Sequence, residues 1–268
     1  MNSASSVLHL NENCVIKFPA AADSLDQDEE WCIVVQNGKE KRIRFHDYDE
    51  VYKVPKLYEH LFYEKLKCNS PRIICGLLQN ELDAARQSPE ALNVLEIGAG
   101  NGMVGEQLKR MGVSSIVGLD IIPEAKAALR RDRPNIYDDY FVADLTQLPP
   151  QTEEKLELEP FNCLVTVAAL GFGDIPPAAF SKAYNLISSP GWLAFNIKER
   201  FLTEKDPTGF CLLIREMKEQ GIIQLKTVER FRHRYALGGA PLYYNGVIAK
   251  KVDEIPKELL EKVENAPS

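Results

Sequence analysis

The stretch Val94-Leu-Glu-Ile-Gly-Ala-Gly-Asn-Gly102 leaves few options for the fold around it. An apolar run that reads as a strand delivers an acidic residue, then three glycines at alternate positions, and a helix must begin at once. Glycine lets the backbone turn sharply at positive φ and lets a ligand lie against it. Free N–H groups at the helix start attract an anionic group. Strand, tight turn and helix form the opening unit of a parallel α/β sheet, and the chain after Pro89 keeps that alternation. Strands read at Asn93 to Ile97, Ser115 to Leu119, Asp139 to Val142, Asn162 to Ala168 and Gly191 to Ile197. Helices read at about Gly102 to Met111, Pro123 to Arg131, Pro176 to Ile187 and Gly209 to Glu219, and a long polar loop holds Pro149-Pro150. The last two β-type runs, Ile222 to Tyr235 and Leu242 to Lys250, are joined at Leu237-Gly-Gly-Ala240 with no room for a helix, so they form an antiparallel hairpin.

Upstream, residues 1–30 are polar and end in an acidic stretch, which predicts a flexible acidic arm. Two β-rich runs, Trp31 to Gln36 and Lys41 to Phe45, flank Asn37-Gly38, a strong hairpin signal. From about 48 to 86 the pattern is helical, with Ser70-Pro71 as N-cap and first-turn proline. The expected organisation is therefore an arm over 1–30, a hairpin and helical lid over 31–88, and the main α/β domain over 89–268.

Charge and cysteine usage narrow the function classes. The net charge is −7, and basic residues gather only in short clusters such as Lys39 to Arg44, which argues against a nucleic-acid partner. No apolar run approaches the roughly 18 residues of a membrane span, and no signal pattern opens the chain, so a cytoplasmic protein is expected. The six cysteines form no Cys-x-x-Cys pair and the four histidines lack metal-site spacing, so no metal is expected.

Eighteen residues after Gly102 comes Asp120, at a strand end where a carboxylate can accept both hydroxyls of a ribose. Glu96-x-Gly98-x-Gly100-x-Gly102 resembles the first motif of class I S-adenosylmethionine-dependent methyltransferases, and Gly118-Leu-Asp120 their second. Val142-Ala-Asp144-Leu145 is similar to their third, and the terminal hairpin to their reversed seventh strand. The resemblance covers about residues 89 to 250. It implies a Rossmann-like, doubly wound, mostly parallel seven-stranded sheet with a reversed last strand, and S-adenosylmethionine as cofactor. By the same resemblance, Glu96 and the run Gly98, Ala99, Gly100, Asn101 and Gly102 hold the methionine part and Asp120 the ribose. Ile121 takes the adenine face, Asp144 and Leu145 the adenine edge, and Ala168 and Tyr52 complete the pocket. A rival reading exists: Gly100-Asn-Gly102-Met-Val-Gly105 fits the dinucleotide pattern of an NAD-dependent oxidoreductase. It leaves Glu96 and Gly98 unexplained, and a second nucleotide half would have to replace the hairpin. A protein that binds the cofactor without transferring methyl is the rival in another class.

In a doubly wound sheet the ligand lies beyond the carboxyl ends of the strands. The segments there are Ala169 to Pro177, Lys198-Glu-Arg200, Arg232-His-Arg-Tyr235 and Tyr243-Tyr244. Phe172, Lys198, Arg200 and Tyr243 are the expected acceptor contacts, with His233 as candidate general base and Glu199 as second choice. Strand alternation sets His233 opposite Arg232 and Arg234. Asp174 precedes Ile-Pro-Pro177 and is expected to cap the next helix. In similar enzymes that methylate amino groups of nucleic acids, strand four ends in Asp or Asn followed by Pro-Pro-aromatic, but here it ends in Ala168-Ala169-Leu170. The acidic metal ligands of the catechol type are likewise missing, with Asn196 alone on strand five. The acceptor is expected to be a small molecule, with a protein acceptor as the further option.

Overall fold

Described in a computed structural model are residues 7–11, 14–20, 22–203 and 206–266. The main sheet is built from seven strands, β5 (Asn93–Ile97), β6 (Ser115–Asp120), β7 (Asp139–Val142), β8 (Cys163–Thr166), β9 (Gly191–Lys198), β10 (Ile223–Tyr235) and β11 (Pro241–Lys251). Their spatial order is β10-β11-β9-β8-β5-β6-β7. The strands β7, β6, β5, β8 and β9 pair in parallel, whereas β11 runs antiparallel to both β9 and β10. This is a doubly wound, Rossmann-like α/β sheet with a reversed last strand.

Alternation along the strands decides how each face is covered. Val94, Cys163, Val165 and Ala194 pack under α2 (Ser70–Ala84) and α3 (Met103–Met111). Leu95, Ile97, Leu164 and Leu193 face the opposite layer, made by α5 (Pro150–Leu158), α6 (Pro177–Leu186), α7 (Phe210–Glu219) and α8 (Lys257–Glu264). The helix α4 (Pro123–Asp132) follows β6 and packs against α1 (Tyr48–Lys53). In place of the long polar loop expected around Pro149-Pro150, α5 starts there. Pro150 occupies its first turn, where a missing N–H costs nothing, and Leu156 alone is buried.

Before the main sheet, β1 (Val7–Asn11), β2 (Cys14–Lys17), β3 (Trp31–Gln36) and β4 (Lys39–Arg44) form a separate antiparallel sheet in that order. The β3–β4 turn puts Asn37 at φ 51 and Gly38 at φ 74, the double positive φ that the Asn-Gly pair favours. The described part of residues 1–30 is therefore structured, which corrects the expected arm. Cys14, Ile16 and Phe18 are buried with Val51, Leu57, Leu61 and Phe62 of the helical segment. Gln27 and Glu30, read as part of an acidic tail, are buried as well. The segment after α1 turns through a π-helical stretch, Glu59–Lys65, before α2 begins.

Candidate active site

The glycine turn after β5 is held open from below. Gly98, Gly100 and Gly102 all have positive φ, and a Cβ on Gly100 would lie 2.5 Å from the Tyr52 hydroxyl. The Tyr140 hydroxyl donates to Gly100 O at 2.8 Å. Glu96 lies under the turn rather than in the cleft: Tyr137 donates to its Oε2 at 3.0 Å, and burial pushes its carboxyl up to about 8. Gly102 also stays out of the cleft. It is the N-cap of α3 at φ 86, with its Cα against Leu129.

A cavity of about 160 Å³ opens beyond the ends of β5, β6 and β7. Its walls include Gly98, Asp120, Ile121, Asp144, Leu145 and Ala168. Asp120 is buried, which raises its pKa, and each of its oxygens takes one backbone N–H, from Gly100 (2.8 Å) and Ile122 (2.9 Å). A carboxylate offers about four lone-pair sites, so Asp120, which lines the cavity, keeps accepting capacity for a ligand. Ile121 is 57% exposed, an apolar side chain left uncovered on the cavity wall. Asp144 sits on the same wall; Thr146 donates to it from both its hydroxyl and its N–H, which lowers its pKa.

A second cavity, of about 60 Å³, continues inward. The two share Tyr48, Tyr52, Tyr58, Gly98, Val167, Ala168 and Asp174, so these residues mark the passage between them. Beyond that passage the second cavity runs past Ala99, Gly100 and Asn101 on one side and Phe172, His233, Arg234 and Tyr244 on another. The three tyrosines come from the helical segment before the fold and stack in series, with ring centroids 6.3 Å apart for Tyr48–Tyr52 and 5.1 Å for Tyr52–Tyr58. Arg131 on α4 donates to Tyr52 O at 3.2 Å and ties that segment to the main sheet.

Hydrogen-bond direction bears on the roles of two buried groups in this second cavity. The N–H of Ala168 donates to Asn196 Oδ1 at 2.6 Å, so the Asn196 amide nitrogen faces Ser70 and donates to its Oγ at 3.0 Å. We assign the Ser70 proton to His233 Nδ1, 2.6 Å away, which places the ring hydrogen of the neutral imidazole on Nε2. Burial, and then the charge of Arg234, keep His233 neutral by driving its pKa well below the usual range. In this tautomer His233, which lines the cavity, presents a donor at Nε2, whereas a base at that atom needs the other tautomer. In a second chain, Lys198 donates to Gln27 Oε1 at 2.9 Å and Gln27 Nε2 donates to the Tyr244 hydroxyl at 3.0 Å. Tyr244 is left with its own proton free to donate.

A register shift in β10 explains why His233 and Arg234 share the cavity. Arg232 pairs with Tyr243 and Arg234 with Leu242, so His233 is an extra residue on its strand. Such a bulge breaks alternation and re-aims side chains, against the expected opposite facing. Arg234 is 1% exposed and paired with Glu30 at 2.7 Å.

The remaining acceptor candidates fall differently. Phe172 lines the second cavity, with Lys198 and Arg200 over its ring at 5.1 and 4.6 Å rather than in the cavity themselves. Glu199 is exposed and paired with Arg230 at 2.5 Å, away from both cavities. Tyr243 lies under the Arg230 guanidinium, 3.7 Å from ring centroid to charge, and Tyr244 takes its expected place. Asp174 is not a helix cap: Pro176 holds that position on α6. Its carboxyl is raised to about 6 by its apolar surroundings and by Asp120, although the residue as a whole is open to solvent, so its position matters more than that shift. His46, Gln27 and Asp174 were not legible as site residues, because only the fold brings them to the cavity.

Residues 95–195 match the family model described as a methyltransferase domain. Among solved structures, the chain is similar to the N-methyltransferase NodS from Bradyrhizobium japonicum WM9, determined with S-adenosyl-l-homocysteine. The identity is 14%, covering 77% of this chain and 97% of that one, with a TM-score of 0.51. A likeness to magnesium protoporphyrin IX methyltransferase (ChlM) from Synechocystis PCC 6803 has 14% identity over 76% and 100% of the two chains and a TM-score of 0.49. No curated protein matches the chain. Fold and cleft define a Rossmann-like methyltransferase. Residues 95–195 thus carry a methyltransferase domain, with S-adenosylmethionine as its cofactor. The cleft fits that cofactor on its own chemistry: a glycine cradle without side chains, a carboxylate with lone pairs to spare, an uncovered apolar wall, and a buried Asn101 Oδ1 that has no partner.

Proposed function

We propose that the protein methylates a small-molecule acceptor held in the second cavity. The observation that carries this reading is the junction of two cavities across Gly98, Ala168 and Asp174, under a roof of Tyr48, Tyr52 and Tyr58. Asp120 takes the ribose, Ile121 the adenine face, Asp144 and Leu145 its edge, and Gly98 to Asn101 with Tyr52 the methionine part. The cofactor supplies an electrophilic methyl on a sulfonium. The chain's own task is to hold an acceptor lone pair in line with that methyl, and orientation of this kind supplies up to roughly 7–11 kcal/mol. The tyrosine roof and the buried inner walls keep water from competing.

A narrow, roofed cavity suits a small acceptor better than a macromolecular one, and a net charge of −7 disfavours nucleic acid. Among the described residues no helix is long and apolar enough to cross a membrane. Cys14, Cys32, Cys68, Cys75 and Cys163 form no disulfide, which supports a reducing, cytoplasmic setting. The test is incubation with methyl-labelled S-adenosylmethionine and a cell extract split by size. Label is expected in the small-molecule fraction; label confined to protein or nucleic acid would overturn this reading.

A further inference from the structure

We propose that the second cavity is a carboxylate site, built from His233, Tyr244 and Arg234, and that the acceptor is therefore a small carboxylic acid. This rests on the small-molecule reading above. The three residues are 5%, 4% and 1% exposed, line one cavity, and sit on adjacent strands. With the tautomer assigned above, the two relays end on donors, the His233 Nε2–H and the Tyr244 hydroxyl, and the two rings lie 4.2 Å apart at a tilt of 36°, so both donors share one locality. Neither proton has an acceptor among the described residues. Two donors in one cavity, beside a guanidinium already paired with Glu30, call for a group that only accepts. A carboxylate is such a group, whereas an amine or an amide would leave its own N–H groups unpaired.

Two molecules could bring a carboxylate here, the acceptor or the amino-acid end of S-adenosylmethionine. Strand order favours the acceptor. The glycine turn follows β5, whereas Tyr244 is on β11, and β8 and β9 lie between them. The glycine run, where the amino-acid end is held, and the His233–Tyr244 side therefore lie on different sides of that cavity. The carboxylate is then the handle that orients the acceptor, leaving its far end at the passage beside Asp174.

The experiment is isothermal titration of propionate, propionamide and propylamine into protein saturated with S-adenosylhomocysteine. Tyr244→Phe is titrated in parallel, and both proteins are also titrated with S-adenosylhomocysteine and 5′-methylthioadenosine. Propionate is expected to bind at least tenfold more tightly than the other two, and Tyr244→Phe to weaken it about tenfold, the usual size of one hydrogen bond to a charged group. The ratio of the two nucleoside affinities should not change. Equal binding of propionate and propionamide, or no binding by either, overturns the carboxylate site in wild type alone, whatever the variant does. A Tyr244→Phe loss confined to S-adenosylhomocysteine would assign the carboxylate to the cofactor and overturn the acceptor claim. Failure of S-adenosylhomocysteine to bind at all would strike the methyltransferase reading instead.

Discussion

Asp120→Ala is expected to abolish nearly all of the thermal stabilisation that S-adenosylhomocysteine gives. At one hundred times its dissociation constant a ligand stabilises by about 2.7 kcal/mol. For a chain of this size that corresponds to a melting shift of roughly 5–10 °C. Asp120 carries two functions at once. Its oxygens hold the N–H groups of Gly100 and Ile122, and it lines the cavity where we propose the ribose binds. Asp120→Asn separates the two: an amide keeps one acceptor oxygen, so part of the shift should survive. Retention of the full shift in Asp120→Ala, measured by calorimetry with and without ligand, contradicts the assigned ribose contact.

Glu30→Gln is expected to destabilise the protein by about 3–5 kcal/mol, because it leaves the Arg234 guanidinium charged in a place that water does not reach. The pair is close, at 2.7 Å, but not aligned as a hydrogen bond, so its strength is mainly coulombic. Glu30 also accepts from Leu237 N at 2.5 Å and so joins the N-terminal sheet to the β10–β11 turn. The double change Glu30→Gln with Arg234→Met should recover much of the loss, since no charge then remains buried. Denaturant unfolding checks both. A change within 0.5 kcal/mol for the single variant would mean that residues 22–30 do not belong to the core, as the sequence alone suggested.

Local patterns were legible and distant pairings were not. The strand Asn93–Ile97, the glycine turn and the terminal hairpin announce themselves by period and by turn residues within a few positions. The helix over Pro150–Leu158 does not, because Gln-Thr-Glu-Glu-Lys is polar and Pro149-Pro150 reads as a breaker until one position is seen to be a first-turn proline. Glu30 was legible as acidic, but its partner lies at the other end of the chain. The second cavity suffered most. Strand alternation put His233 and Arg234 on opposite faces, and one inserted residue in β10 brings them to one site. Asp174 looked like a cap because two prolines follow it, and only the position of α6 shows that the cap is Pro176. Glu199 and Tyr243 were placed near the correct strand ends, yet Arg230 engages both on the outer surface.

The central claim is that the cofactor spans the first cavity with its sulfur at the passage into the second. A crystal structure with S-adenosylhomocysteine tests it most directly. The account predicts adenine between Ile121 and Asp144, both ribose hydroxyls on Asp120, and sulfur beside Gly98 and Ala168 facing Phe172 and His233. A ligand whose sulfur faces bulk solvent, or whose adenine occupies the second cavity, would contradict it.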